Sequence, residues 1–242
     1  MVFVHGFTQT GRSWLPVAES FIDSHEVVLV DAPGHGWSAE VSVDMAVGAD
    51  MLAEVGGKAS YVGYSMGGRL CLHLAVAHPQ LVSSLVMLGT TAGIDDDTLR
   101  AERQAADERL AIELETTGIE AFLKNWLALD LFANLHDDAR GMNERMTNTV
   151  AGLASSLRLA GTGSQGSLWA LLDLVAAPTL VLAGELDPKF TELGHRLRDE
   201  IGDNAIFSTI AGAGHAAHLE APALVARRIA DFLQNPASAP NG

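Results

Sequence analysis

The chain contains one cysteine, Cys71, among 242 residues. No intrachain disulfide can form, which suits a reducing compartment. Bases are scarce: 15 Lys and Arg stand against 30 Asp and Glu, a net charge of −15. That deficit argues against a nucleic-acid partner, because phosphates demand a basic face. It leaves room for a small anion, since a few Arg can make one positive pocket inside an acidic shell. There is no apolar run of about 18 residues, and no basic segment leading into a short apolar one. No membrane span is expected, and the protein is read as soluble and cytoplasmic. His-Glu-x-x-His and paired cysteines are both missing, so no metal site is expected. Internal repeats are absent. What remains is 48% hydrophobic and 19% charged, a globular composition. A chain of this length is most simply one domain with a full core.

The stretch Gly63-Tyr64-Ser65-Met66-Gly67 has the Gly-x-Ser-x-Gly form. The apolar run from Ala59 to Val62 leads in and reads as a strand. The run from Leu70 to Ala77 leads out and reads as a helix stopped by His78-Pro79. A strand that turns sharply into a helix needs residues without bulk beside the turn. The serine then sits on strained backbone, its hydroxyl exposed at the positive end of the helix.

Other apolar runs repeat the strand signal: Val2 to Val4, Val27 to Asp31, Leu85 to Gly89, Thr179 to Ala183 and Ala205 to Ile210. Helical stretches alternate with them at Trp14 to Phe21, Asp44 to Gly56, Phe190 to Ile201 and Ala221 to Leu233. Continuous Val/Leu strands separated by helices predict an α/β fold with a mostly parallel central sheet covered on both faces. The loops at the carboxyl ends of the strands then share one edge, where ligands bind. From about Gly93 strand signals vanish until about Pro178, and Asp95-Asp96-Asp97 can cap a helix. The reading is a core over 1–92 and 169–242 with a helical lid over 93–168 inserted in it. A separate helical domain is the alternative; the length and the lack of a linker favour the lid. Residues 235–242 read as a frayed tail.

A serine hydroxyl is a poor nucleophile or base until an imidazole takes its proton, and the imidazole needs a carboxylate to fix its tautomer. Ser65, Asp187 and His215 each follow an expected strand, which puts all three at one sheet edge in the order Ser, Asp, His. Asp187 can also be a helix cap before Phe190, and His218 is a near rival to His215. Backbone N–H groups of Phe7 and Met66 are candidates for an oxyanion hole. His5 and His35 read as structural residues of their loops. Arg69 lies one helical turn after Ser65 and can face the same pocket. Guanidinium groups suit carboxylates through paired hydrogen bonds.

With His5-Gly6-Phe7-Thr8, the Ser65 motif with Gly68-Arg69, the Trp126 region from Phe122 to Phe132, Gly161-Thr162-Gly163 with Ser167-Leu168-Trp169, and Gly184 to Phe190, the chain resembles the α/β-hydrolase fold over nearly its whole length. More narrowly it resembles the 2-succinyl-6-hydroxy-2,4-cyclohexadiene-1-carboxylate synthase family of menaquinone biosynthesis. The resemblance implies a lyase that needs no cofactor. Its triad acts as a base that removes a ring proton, and pyruvate leaves. It further implies substrate contacts from Tyr64, Arg69, Arg103, Trp126 and Arg145, with Arg100 a competitor for the place of Arg103. The fold normally has one or two strands ahead of the His-Gly strand, so one sheet flank is expected to be open here. A serine hydrolase of an ester or C–C bond is the second reading on the same triad, and a non-catalytic binding role the third. The partner expected is a small anionic substrate.

Overall fold

Six apolar runs become six strands in the computed structural model, which describes residues 1–235. They are β1 (Val2–Val4), β2 (Val28–Val30), β3 (Ala59–Tyr64), β4 (Val82–Leu88), β5 (Thr179–Gly184) and β6 (Ala205–Ile210). They pair in the order β2-β1-β3-β4-β5-β6, every pair parallel. The expected frayed tail falls, apart from Asn235, outside the described residues.

Parallel strands need a crossover between neighbours, and the helices supply it on both faces. The helices are α1 (Leu15–Ala18), α2 (Met45–Gly56), α3 (Met66–Ala77), α4 (Asp97–Thr117), α5 (Ile119–Leu127), α6 (Met142–Arg145), α7 (Val150–Ala160), α8 (Pro188–Ile201), α9 (Ala217–Glu220) and α10 (Pro222–Gln234). Alternate side chains of each strand feed opposite cores. Val2, Val4, Tyr61 and Met87 pack with residues of α2, α3 and α8. Phe3, Val62, Val86 and Leu88 pack with Trp14, Val17, Val225, Ile229 and Phe232. Burying each such side chain stabilises the fold by roughly 1.5–3 kcal/mol before entropy is counted.

Between β4 and β5 the chain runs through α4 to α7. This segment has a small core of its own, with Leu114, Phe122, Leu123, Leu153 and Leu157. Asp96 caps α4 by accepting from Leu99 N–H. The expected helical run from Arg140 to Leu159 is broken: α6 ends at Arg145, and Thr149 caps α7 by accepting from Gly152 N–H. The expected helix from Trp14 to Phe21 is likewise split between α1 and 3-10 turns at Gly11–Trp14 and Glu19–Phe21. Pro16 has no N–H to donate, so it sits where a helix starts and not inside a longer one. β2 forms the sheet edge expected to be open; its three residues are half-buried, and Trp37 beside it is fully exposed. No helix among the described residues is long and apolar enough to cross a membrane.

The serine turn is the tightest point. Ser65 has φ +50° and ψ −108°, a costly conformation for a side-chain-bearing residue. A Cβ on Gly63 would lie 2.5 Å from the Gly67 carbonyl oxygen, and one on Gly67 would collide with the backbone of Val4 and His5. Gly67→Ala is therefore expected to destabilise the fold by about 2–3 kcal/mol, the upper part of the range for overpacking, because the atoms it meets are backbone. Gly166→Ala, where added bulk meets nothing within 4 Å, is expected to stay within about 0.5 kcal/mol. Urea unfolding of the two variants checks the contrast.

Candidate active site

The carboxyl ends of β1, β3, β5 and β6 deliver the expected groups to one edge. Ser65 follows β3 and Asp187 follows β5 by a short turn. His215 lies in the loop between β6 and α9. His215 Nδ1–H donates to Asp187 Oδ2 at 2.8 Å, both residues buried. Asp187 also caps α8, its Oδ1 accepting from Phe190 N–H at 3.2 Å. Its two expected roles, cap and partner of histidine, are thus held by different oxygens of one carboxylate. His218 is not the rival it looked: it is fully buried behind the site, between Tyr64 and Trp14, with Nε2 3.3 Å from Gln9 Oε1.

The His215 loop is fixed from behind. Glu220 accepts from Gly214 N–H at 2.5 Å and from Ala216 N–H at 3.0 Å, gripping the backbone on both sides of His215. Phe190 packs on the imidazole with ring centroids 4.4 Å apart. Gly89 leaves room for the ring, since a Cβ there would stand 3.0 Å from His215 Cε1. Ser65 and His215 line one cavity of about 140 Å³. Ser65 Oγ makes no direct hydrogen bond among the described residues, so the Asp–His half of the expected triad is assembled and the Ser–His half is not. Catalytic contacts of this kind often tighten only around substrate.

Phe7 and Met66 line the same cavity. Met66 N–H stands at the first turn of α3, where no intrahelical acceptor exists. Two buried histidines hold the Phe7 turn. His5 Nδ1–H donates to Gly6 carbonyl oxygen at 2.8 Å, and its Nε2 accepts from Ala32 N–H at 3.0 Å. His35 Nε2 accepts from Thr8 N–H at 3.2 Å, and its Nδ1–H donates to Pro33 carbonyl oxygen at 3.1 Å. Each therefore needs its neutral form. Burial pushes His5 down to about 4 and His35 down to about 3.

Arg69 and Arg103 line the cavity; Arg100 instead donates to Asp97 and to the Ile94 carbonyl oxygen. Arg69 is buried and donates to Gln165 Oε1 at 2.6 Å, a neutral acceptor. Burial, with Arg103 nearby, pushes the Arg69 guanidinium down to about 9, which still leaves it a cation at neutral pH. Arg103 Nε–H donates to buried Asp107 at 2.8 Å. Lys189 lines the cavity as well. Trp126 forms part of the wall, its ring 5.2 Å from that of Phe7, and its buried indole N–H has no partner. Two expected substrate contacts lie elsewhere. Tyr64 is buried between His215 and His218, outside the cavity wall. Arg145 is buried behind the Phe7 turn, donating to Thr8 Oγ1 and, at 2.8 Å, to the Arg140 carbonyl oxygen. Reasoning from the sequence missed Glu220, Gln165 and Asp107. Their partners are fixed by folding, and a lone acid or amide carries no local signal of which distant group it will meet. No cluster of His, Cys, Asp and Glu fit to hold a metal ion exists among the described residues.

Residues 1–228 match the alpha/beta hydrolase family. A 2-succinyl-6-hydroxy-2,4-cyclohexadiene-1-carboxylate synthase of Escherichia coli O1:K1 / APEC is 34% identical over 245 residues, spanning 97% of this chain and 93% of that protein. The structure of MenH from S. aureus superposes with a TM-score of 0.87 at 30% identity, over 98% of this chain and 94% of that one. An esterase from Thermogutta terrifontis superposes with a TM-score of 0.81 at 23% identity, over 98% and 90% of the two chains, which speaks for the fold alone.

Four histidines, His5, His35, His73 and His218, are held below the ordinary 6.5 by burial. In the unfolded chain each takes a proton near pH 6.5; in the fold it does not. Below that pH the unfolded state binds more protons, so stability falls as pH falls, by up to roughly 1.4 kcal/mol per pH unit for each histidine. Urea unfolding between pH 7.5 and 5 is expected to show the decline starting near pH 6.5, ahead of the carboxylates.

Proposed function

This chain belongs to the alpha/beta hydrolase family and, within it, to the 2-succinyl-6-hydroxy-2,4-cyclohexadiene-1-carboxylate synthases, and from that premise we propose that it eliminates pyruvate from 2-succinyl-5-enolpyruvyl-6-hydroxy-3-cyclohexene-1-carboxylate, a step of menaquinone biosynthesis. The observation that carries this reading is the charge of the cavity. Arg69, Arg103 and Lys189 stand around Ser65 with Asp107 as their one acidic neighbour in the wall, Asp187 being taken by His215. In a chain of net charge −15, a cationic pocket marks an anionic guest. The proposed substrate carries three carboxylates. A neutral ester has no use for these cations.

In the proposed reaction His215 takes the Ser65 hydroxyl proton, and Asp187 orients and stabilises the imidazolium. The Ser65 oxygen removes the ring proton beside the succinyl carbonyl. The electron pair moves onto that carbonyl oxygen, where Phe7 and Met66 N–H groups stabilise the enolate. When the carbonyl re-forms, the pair shifts through the ring double bond and expels the enolpyruvyl oxygen. A ring diene remains, and the departing enolate takes up the proton held by His215 to become pyruvate. No acyl-enzyme forms and no cofactor enters. Gln165 helps by binding Arg69 without neutralising it, so the guanidinium keeps its charge for a carboxylate. Trp126 contributes its ring to the wall that the guest packs against. The helical segment over 93–168 serves as a lid that carries Arg103 and Trp126 over the serine and excludes water.

Purified protein is expected to release pyruvate from the enolpyruvyl substrate far faster than it cleaves a short-chain ester; the reverse order would mark a hydrolase. Arg69→Ala should cost roughly 2–4 kcal/mol in kcat/KM for the lyase reaction, as for truncating one partner of a buried charge pair. His215→Ala should abolish turnover. His218→Ala should leave a working active site in a less stable protein, which thermal melts beside the pyruvate assay will separate.

A further inference from the structure

We propose that Asn148, outside the cavity wall, is a positioning residue that holds the Phe7 turn in the backbone conformation needed to stabilise the enolate. The proposal rests on the oxyanion role given above to Phe7 N–H.

The starting observation is strain. Among the described residues only Thr8 and Ser65 combine a side chain with positive φ, and Thr8 has φ +68°. Thr8 is β-branched, which makes that region especially unfavourable, and it directly follows Phe7. Such a conformation persists only where the surroundings over-determine it. Every polar group of Thr8 is accounted for. Its N–H donates to His35 Nε2 at 3.2 Å. Its hydroxyl accepts from Arg145. Its carbonyl oxygen accepts from Asn148 Nδ2 at 2.8 Å.

Asn148 is the common element. It is 6% exposed. The same Nδ2 donates to the Arg145 carbonyl oxygen at 3.1 Å, which fixes the residue whose guanidinium holds the Thr8 hydroxyl. Its Oδ1 accepts from Gly36 N–H at 2.8 Å, which fixes the residue following His35. One amide therefore supports all three grips on Thr8: one directly, one through Arg145, and one through Gly36, the neighbour of His35. Thr8 and Asn148 are separated by 140 positions, and the asparagine belongs to the helical segment between β4 and β5. Seating of that segment and the geometry of the oxyanion turn are thereby coupled.

The test compares wild type, Asn148→Ala, Thr8→Gly and the double variant on the enolpyruvyl substrate and on an activated short-chain ester, with backbone hydrogen exchange over residues 6–11. Asn148→Ala is expected to lower kcat about tenfold on either substrate, less than outright loss of an oxyanion donor, with KM little changed and faster exchange in the turn. Glycine adopts φ +68° without support, so Thr8→Gly in the Asn148→Ala background should recover most of the lost kcat. An unchanged kcat, or a loss that Thr8→Gly does not relieve, overturns the proposal. Should the wild-type protein turn over neither substrate, the functional reading fails on its own. The exchange comparison then decides: unchanged protection of the turn in folded Asn148→Ala overturns the clamp, and lost protection supports it.

Discussion

The site depends on one close approach. The backbone of Gly67, in the first turn of α3, presses on the carbonyls of Val4 and His5 at the end of β1, where even a methyl group would collide. Strand pairing brings β1 and β3 side by side, with Val4 opposite Gly63. The strained turn at Ser65 then throws α3 back along the sheet. As a result the Met66 amide from one strand end and the Phe7 turn from the next reach a single cavity. Loosening that contact would separate the two N–H groups whatever happened to the serine itself.

Around this point charge is arranged by burial and not by number. The protein is strongly acidic, yet the acids nearest the serine are occupied. Asp187 is divided between His215 and the start of α8, and Asp107 is held by Arg103. Arg69 hydrogen-bonds an amide, Gln165, and its acidic neighbour Asp107 is already held by Arg103. A buried guanidinium whose charge is only partly offset is costly; in the function proposed above, a carboxylate of the guest completes the balance. The buried histidines make the opposite use of burial. Kept neutral, His5 and His35 act as fixed donor–acceptor pairs that shape the Phe7 turn.

Much of the architecture was legible in the chain because its signals are local. Continuous Val/Leu runs gave strands at nearly the expected positions, and Gly-x-Ser-x-Gly between a strand and a helix marked the turn. The order Ser, Asp, His along strand ends placed Asp187 and His215, which do meet. Arg69 followed from helical spacing. The misreadings also have physical causes. Helical spacing survives a break, so the stops at Arg145 and Thr149 went unseen. Arg145 and Tyr64 match a family pattern in sequence, but that pattern says nothing of which way a buried side chain turns.

The sequence by itself determined the parallel sheet, the serine turn, the strand-end positions of Ser65, Asp187 and His215 and the shortage of base, because each depends on a short window or on a count. Tertiary structure alone decided which cations reach the cavity and which residues hold the loops in place. Arg103 was separated from Arg100, and Arg145 was turned toward Thr8, by packing between segments far apart in the chain. Asn148, Gln165 and Glu220 acquired their roles the same way. A hydrogen bond across 140 positions leaves no periodicity in the chain, since its energy is earned only after both ends have been brought together.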